Sequence, residues 1–238
     1  MALCVLMLPV SCAVGKVGVK SLSSSSGSAI SSSVSLSSAP SSSSMSSLKP
    51  PLIFDGFVQL KDLDPDFVID LKYATADNFT HQVVYPTDIC VLRVATADKL
   101  VRANAEFKKH GYRIKVWDAY RPLSVQKIFW SIMPDTRYVA DPSSGGSVHN
   151  RGCAVDITLV DSSGSELEMP SGFDDFTQSA YRDNPGMTPQ AKANLELLTG
   201  VMTENGFKTI TTEWWHYEDT DAGQYAIADI DLTQFENN

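Results

Sequence analysis

Two of the four histidines in the chain sit at spacings suited to holding a metal ion. The run Ser147-Val148-His149-Asn150-Arg151-Gly152-Cys153-Ala154-Val155-Asp156 sets an imidazole before a glycine turn and a carboxylate inside the apolar segment that follows. If Cys153 to Val160 is a strand, Asp156 shares a face with Ala154 and Thr158, while Cys153, Val155, Ile157 and Leu159 take the other. A carboxylate in such surroundings is costly unless it is paired or bound to a metal. The run Thr212-Glu213-Trp214-Trp215-His216-Tyr217-Glu218 supplies a second imidazole, with an acid three residues before it. A catalytic zinc commonly takes three protein ligands and keeps one position for water. His149, Asp156 and His216 would make that set, with Glu213 as general base toward a metal-activated water. In a regular strand, positions 213 and 216 face opposite sides, so this arrangement requires a bulge, turn or loop there. On spacing alone, a core histidine pair with structural acids stays open, as does a metal site without turnover. The other two histidines have simpler readings. His110 falls in the last turn of an expected helix, where the dipole favours a cation, and His81 lies in a polar turn with no partner motif.

The elements that must position these groups read as an α+β domain, a small and mostly antiparallel sheet with helices packed on it. Ile53 to Leu60, Phe67 to Leu71 and Arg113 to Trp117 read as short strands. Thr96 reads as the cap of a helix carrying Leu100, Ala103 and Phe107, with Gly111 as its stop. A second helix follows Pro122, with Val125, Ile128, Phe129 and Ile132 on one face. After the strand at Cys153 to Val160, the Ser162-Ser163-Gly164 turn leads to a return strand near Glu166 to Met169. A third helix has Thr188 as cap, Pro189 at its first position and Gly206 at its end, with Leu195, Leu198 and Met202 inward. Phe207 to Tyr217 closes the domain as a β-rich segment. No glycine-rich phosphate loop occurs, so nucleotide chemistry has no support.

The 238 residues carry a formal charge of -9 with 43% hydrophobic content, enough for one ordinary domain and an attachment, or two small domains at most. The acidic balance argues against nucleic acid as a partner and leaves small cationic or zwitterionic ligands open. Four cysteines, with no CxxC pair, define no zinc finger. Cys90 and Cys153 read as small buried apolar residues, with a disulfide between them as the alternative.

Residues 1–50 read as a separate segment, apolar to about Val19 and then serine-dominated, leaving the domain at 51–238. Ala2 to Val10 resembles a secretory core, and Leu8-Pro9-Val10-Ser11-Cys12 faintly resembles a lipoprotein cleavage site. In that reading the chain is exported to the periplasm or cell envelope, with a lipid on Cys12 as its membrane attachment. An organellar transit peptide and a mis-set start with no targeting, hence a cytoplasmic chain, are the competing readings. The apolar run is shorter than the roughly twenty residues a membrane span needs.

The metal pattern and its surroundings resemble the zinc D,D-peptidases, and within them the D-alanyl-D-alanine dipeptidase family. Five blocks carry the likeness in order: Asp70 to Thr80, Trp117-Asp118-Ala119-Tyr120-Arg121-Pro122, the His149 run, Gly172-Phe173-Asp174-Asp175 and Glu213-Trp214-Trp215-His216. Met169-Pro170-Ser171-Gly172 departs slightly, with proline where the family often has glycine. The resemblance implies one zinc on His149, Asp156 and His216, and Glu213 as the base. It also implies Arg121 as the group that polarises the scissile carbonyl, with Asp118 orienting it. Ser147 and Asp174 match positions that hold the amino end of a small zwitterionic dipeptide, and Tyr73, Asn78 and Tyr120 are further candidates for the pocket wall. The implied reaction is hydrolysis of D-alanyl-D-alanine. Carboxypeptidase or endopeptidase action on peptidoglycan stem peptides is the alternative.

Overall fold

The computed structural model describes residues 50–236, so the expectations for the N-terminal segment lie outside the described residues, Pro50 excepted. Chain order begins with β1 (Ile53–Phe54), β2 (Phe57–Gln59), a single-turn helix α1 (Leu60–Leu63), β3 (Val68–Ile69) and β4 (Val91–Arg93). The helix α2 (Val94–Lys109), β5 (Arg113–Asp118) and α3 (Leu123–Ile132) follow. Then come β6 (Ala154–Val160), α4 (Pro189–Glu204), β7 (Phe207–Thr209) and β8 (His216–Asp219).

The main sheet has five strands in the order β3-β5-β6-β8-β7, with only the β3–β5 pair parallel. Every residue of β6 is buried, so its run of apolar side chains serves both faces of a central strand. A second sheet, β1-β2-β4, is antiparallel throughout. The α+β expectation stands.

Helix α4 forms where its punctuation put it. Thr188 Oγ1 accepts from Ala191 N, Pro189 occupies the first turn, and Gly206 leaves the helix at φ +88°. Its inward face is Leu195, Leu198 and Met202, joined by Ala191, Asn194 and Val201. Both α2 and β7 pack against it.

Several expectations are corrected. The single strand from Ile53 to Leu60 is a tight hairpin, because Asp55 (φ +48°) and Gly56 (φ +78°) form the turn between β1 and β2. Helix α2 starts at Val94, three residues ahead of Ala97. Thr96 is therefore inside its first turn, and its hydroxyl donates to the buried Asp219 Oδ2 at 2.7 Å instead of capping. On α3 the buried face is Val125, Gln126 and Phe129, while Ile128 and Ile132 are exposed. The return strand near 166–169 shrinks to a single bridge between Val160 and Glu166. Cys90 and Cys153 are both free and buried.

Candidate active site

His149 sits on a short 3₁₀ turn, Val148–Arg151, built by a local exchange of hydrogen bonds. Ser147 Oγ accepts from His149 N at 3.2 Å, and Asn150 Oδ1 accepts from Ser147 N at 2.7 Å. Gly152 ends the turn at φ +70°, where an added Cβ would overlap the Phe57 ring. The chain then enters β6 and carries Asp156 to a position directly opposite His216 on β8. Strand pairing fixes those two ligand candidates. The turn aims the third.

Atoms of the three side chains converge. His216 Nδ1 lies 2.9 Å from Asp156 Oδ1 and 3.2 Å from His149 Nε2, and His149 Nε2 lies 3.4 Å from Asp156 Oδ1. Tetrahedral coordination at roughly 2.0–2.2 Å puts donor atoms about 3.3 Å apart, so this triangle has the size a zinc ion needs. The remaining ring nitrogens are already engaged. His149 Nδ1 donates to Ala119 O at 2.7 Å, and His216 Nε2 faces Glu218 Oε1 at 3.3 Å. With protons on those outer nitrogens, both inner nitrogens present lone pairs to one point, as metal-binding histidines do. The charge balance agrees. Burial opposes a charged His216, yet hydrogen bonds to Asp156 and Glu218 push its pKa up to about 10. The triangle therefore accepts positive charge, and its N,N,O donor set suits zinc chemistry. All three residues are buried and form a possible metal-holding group among the described residues.

Glu213 lies in the loop between β7 and β8, with Oε2 4.0 Å from His216 Nδ1. Because β8 begins only at His216, residues 213 and 216 escape strand alternation, and both side chains reach the same place. Burial raises the Glu213 pKa, opposed by His216 and helped by Asp156.

Arg121 follows β5 and is buried beside the triangle. Its Nε and Nη2 donate to Asp118 Oδ2 at 3.0 and 2.5 Å, and Nη1 donates to Gln126 Oε1 at 2.8 Å. Its guanidinium also lies over the Phe129 ring at 4.7 Å. The backbone ties it to the turn that carries His149, since Arg121 N donates to His149 O and Asn150 Nδ2 donates to Arg121 O. Asp118 is itself fixed by Tyr85, whose hydroxyl donates to Oδ1 at 2.6 Å, and by Ala119 N at 2.9 Å.

These groups line a cavity of about 230 Å³. Arg121, His149, Asp156, Glu213 and His216 face it, together with Ser147, Asp174 and Tyr73; Asp118 lies behind Arg121 and outside the lining. Asp174 adopts φ +55°, accepts from Tyr73 OH and from Phe79 N at 3.0 Å each, and has its pKa pushed up to about 7 by burial. Two wall candidates are not brought into this cavity. Asn78 donates to the carbonyls of Lys72, Thr75 and Gln82, and so builds its own turn. Tyr120 exchanges hydrogen bonds with the backbone of Ile230.

Sequence reasoning missed Glu218, Gln126 and Tyr85. A polar Gln126 on the buried face between Val125 and Phe129 was a readable signal. Tyr85 offered none, because its link to Asp118 spans 33 positions.

The arrangement is that of a metal-dependent hydrolase, and comparison with known proteins places it more closely. The chain belongs to the D-ala-D-ala dipeptidase family, whose family model matches residues 54–235. It is 37% identical over 170 residues to the D-alanyl-D-alanine dipeptidase of Escherichia coli K12, covering 71% of this chain and 88% of that protein. It is 31% identical over 186 residues to the D-alanyl-D-alanine dipeptidase of Enterococcus faecium, covering 68% and 90% respectively. A structure of VanYB in complex with D-alanine-D-alanine aligns at TM-score 0.38 and 15% identity, over 65% of this chain and 87% of that one. The protein is a peptidase of this family.

Proposed function

We propose that this chain is a zinc peptidase that hydrolyses D-alanyl-D-alanine to two molecules of D-alanine. The observation carrying the proposal is the pointing of His149 Nε2, His216 Nδ1 and Asp156 Oδ1 at one position, with Glu213 and Arg121 lining the same cavity. When bound there, zinc supplies Lewis-acid activation of water and of the scissile carbonyl.

Glu213 takes the proton of the attacking water on its carboxylate and passes it to the departing amine. Its raised pKa makes it a stronger base than an exposed glutamate. Arg121 donates to the carbonyl oxygen as negative charge builds there, a contribution of roughly 10²–10³-fold for a fixed donor. Asp118 and Gln126 hold the guanidinium in place beforehand, so little reorganisation is needed in the reaction. Asp174, ionised, accepts the substrate ammonium, with Tyr73 fixing the carboxylate and Ser147 on the same wall.

A cavity of about 230 Å³ falls below the roughly 300–1,000 Å³ of drug-sized sites and suits a short zwitterion. Incubating the zinc-loaded protein with the free dipeptide and with a pentapeptide stem ending in D-alanyl-D-alanine tests this. The proposal requires release of D-alanine from the dipeptide. Cleavage of the stem alone would overturn it in favour of a carboxypeptidase.

A further inference from the structure

The segment from Ile210 to Trp215 has a backbone problem. It must bring Glu213 and His216 to one cavity, so it leaves the β7–β8 ladder, which pairs only Phe207 to Thr209 with Tyr217 to Asp219. Carbonyls released from a ladder need other donors when they are screened from water. Trp214, Trp215 and His216 are all buried.

Arg182 meets that need without lining the cavity. Its Nε donates to Ile210 O at 2.9 Å, and its Nη2 donates to Trp214 O at 2.6 Å and His216 O at 3.0 Å. Its Nη1 donates to Thr199 Oγ1 at 3.0 Å and Tyr217 OH at 3.2 Å. A guanidinium has five N–H donors in a fixed plane, and all five are used here. The Tyr217 ring lies against that plane at 4.6 Å. The backbone adds two further ties, from Arg182 N to Thr211 O and from Trp214 N to Ala180 O. The chain at 180–182 thus takes the part of the strand that β7 no longer supplies, while the other edge of the loop stays tied to β6 through Ile157 N to Trp215 O.

We propose that Arg182 is a positioning residue that sets the distance and orientation between Glu213 and His216. It spans three carbonyls that bracket Glu213, one before it and two after it, so losing the fork loosens the loop on both sides of Glu213 and leaves only the backbone ties to hold it. A lysine cannot substitute, because an ammonium is a point donor and cannot reach carbonyls on either side of Glu213 at once. The inference rests on the roles given above to Glu213 and His216.

The experiment uses Arg182→Lys and Arg182→Ala beside the wild-type chain, measuring zinc affinity by chelator competition, kcat and KM for the dipeptide, and Tm. Misplaced support of a metal ligand typically weakens metal affinity by about 10–100-fold, and both variants should show a loss in that range. The value of kcat should fall with KM little changed, since the substrate-holding wall around Asp174 is untouched. Methylguanidine added to Arg182→Ala should restore part of both zinc affinity and kcat. If both variants keep wild-type zinc affinity and kcat and only Tm falls, Arg182 is a stabilising residue alone and the inference is overturned. Should neither variant fold, Thr199→Val removes one anchor of the fork; it should lower zinc affinity and kcat to a lesser degree, and wild-type values for both would overturn the inference. A wild-type chain that neither binds zinc nor cleaves the dipeptide defeats the functional proposal instead.

Discussion

Asp118 grips Arg121 through a single oxygen, Oδ2, which accepts from both Nε and Nη2. Its other oxygen accepts from Tyr85 OH and Ala119 N, so the carboxylate has no freedom to rotate. Burial alone would oppose a charge on Arg121, and Asp118 reverses that by holding its pKa well above the ordinary value. Arg121→Lys keeps the charge and loses the fork. It should cut kcat by roughly 10²–10³-fold while zinc content stays at wild-type level. Steady-state kinetics with metal analysis on the same sample checks this. An unchanged kcat would remove Arg121 from the reaction.

Glu218 stands behind His216 much as Ala119 O stands behind His149. It is also tied to Lys208 at 2.8 Å. Glu218→Ala removes the acceptor that keeps the proton on Nε2, and zinc affinity should fall by about 10–100-fold. Glu218→Gln keeps an acceptor oxygen and should lose less. Chelator competition on the metal-free proteins reads both values, and equal affinities for all three chains would contradict the assignment.

The pH response should carry a signature of Asp174. An ionised carboxylate is needed to pair with the substrate ammonium, so KM should fall as pH rises toward about 7. A bound divalent cation across the cavity draws that midpoint lower. The stability effect has the opposite sign. Folding raises this pKa from 3.8, so the folded chain holds a proton that the unfolded chain has released, and stability falls as pH climbs from there to about 7. Asp174→Asn should flatten the KM limb, raise KM throughout and lessen the decline in Tm. A KM profile identical to wild type would exclude Asp174 from substrate binding.

Gly152 is a stability prediction. Alanine there must adopt φ +70° and place a Cβ against the Phe57 ring. Left-handed backbone costs about 1–2 kcal/mol and overpacking about 1–3 kcal/mol more, so Gly152→Ala should lose roughly 2–5 kcal/mol in denaturant unfolding. A loss under 1 kcal/mol, with the zinc affinity of the wild type, would mean the His149 turn tolerates another path.

Features coded by neighbouring residues were legible in the sequence. Thr188, Pro189 and Gly206 delimit α4 by local chemistry, and an aspartate inside Ala-Val-Asp-Ile-Thr-Leu-Val announces its cost on its own. The clash between strand alternation and a paired Glu213 and His216 was also readable, and it located a loop correctly. Misreadings arose where tertiary contacts outvote local preference. Thr96 has the type of a cap but bonds Asp219, 123 positions away. Ile128 and Ile132 fit a helical stripe, yet the buried stripe runs through Gln126, because Arg121 needs its amide oxygen. The Asp55-Gly56 pair is a local turn signal that the apolar residues on either side of it mask. Arg182 was unreadable, since its partners lie on α4, β8 and the loop between β7 and β8, brought together only by the fold.

The central claim is that Glu213 moves the proton while His149, Asp156 and His216 hold the metal. Comparing zinc-loaded wild type with Glu213→Gln, with D-alanine release and bound zinc measured on the same samples, tests it most directly. The account predicts two D-alanines per dipeptide from the wild type, and a variant that keeps its zinc but is slower by about 10²–10⁴-fold, the range for a lost general base. A zinc-loaded Glu213→Gln that turns over at the wild-type rate would contradict it.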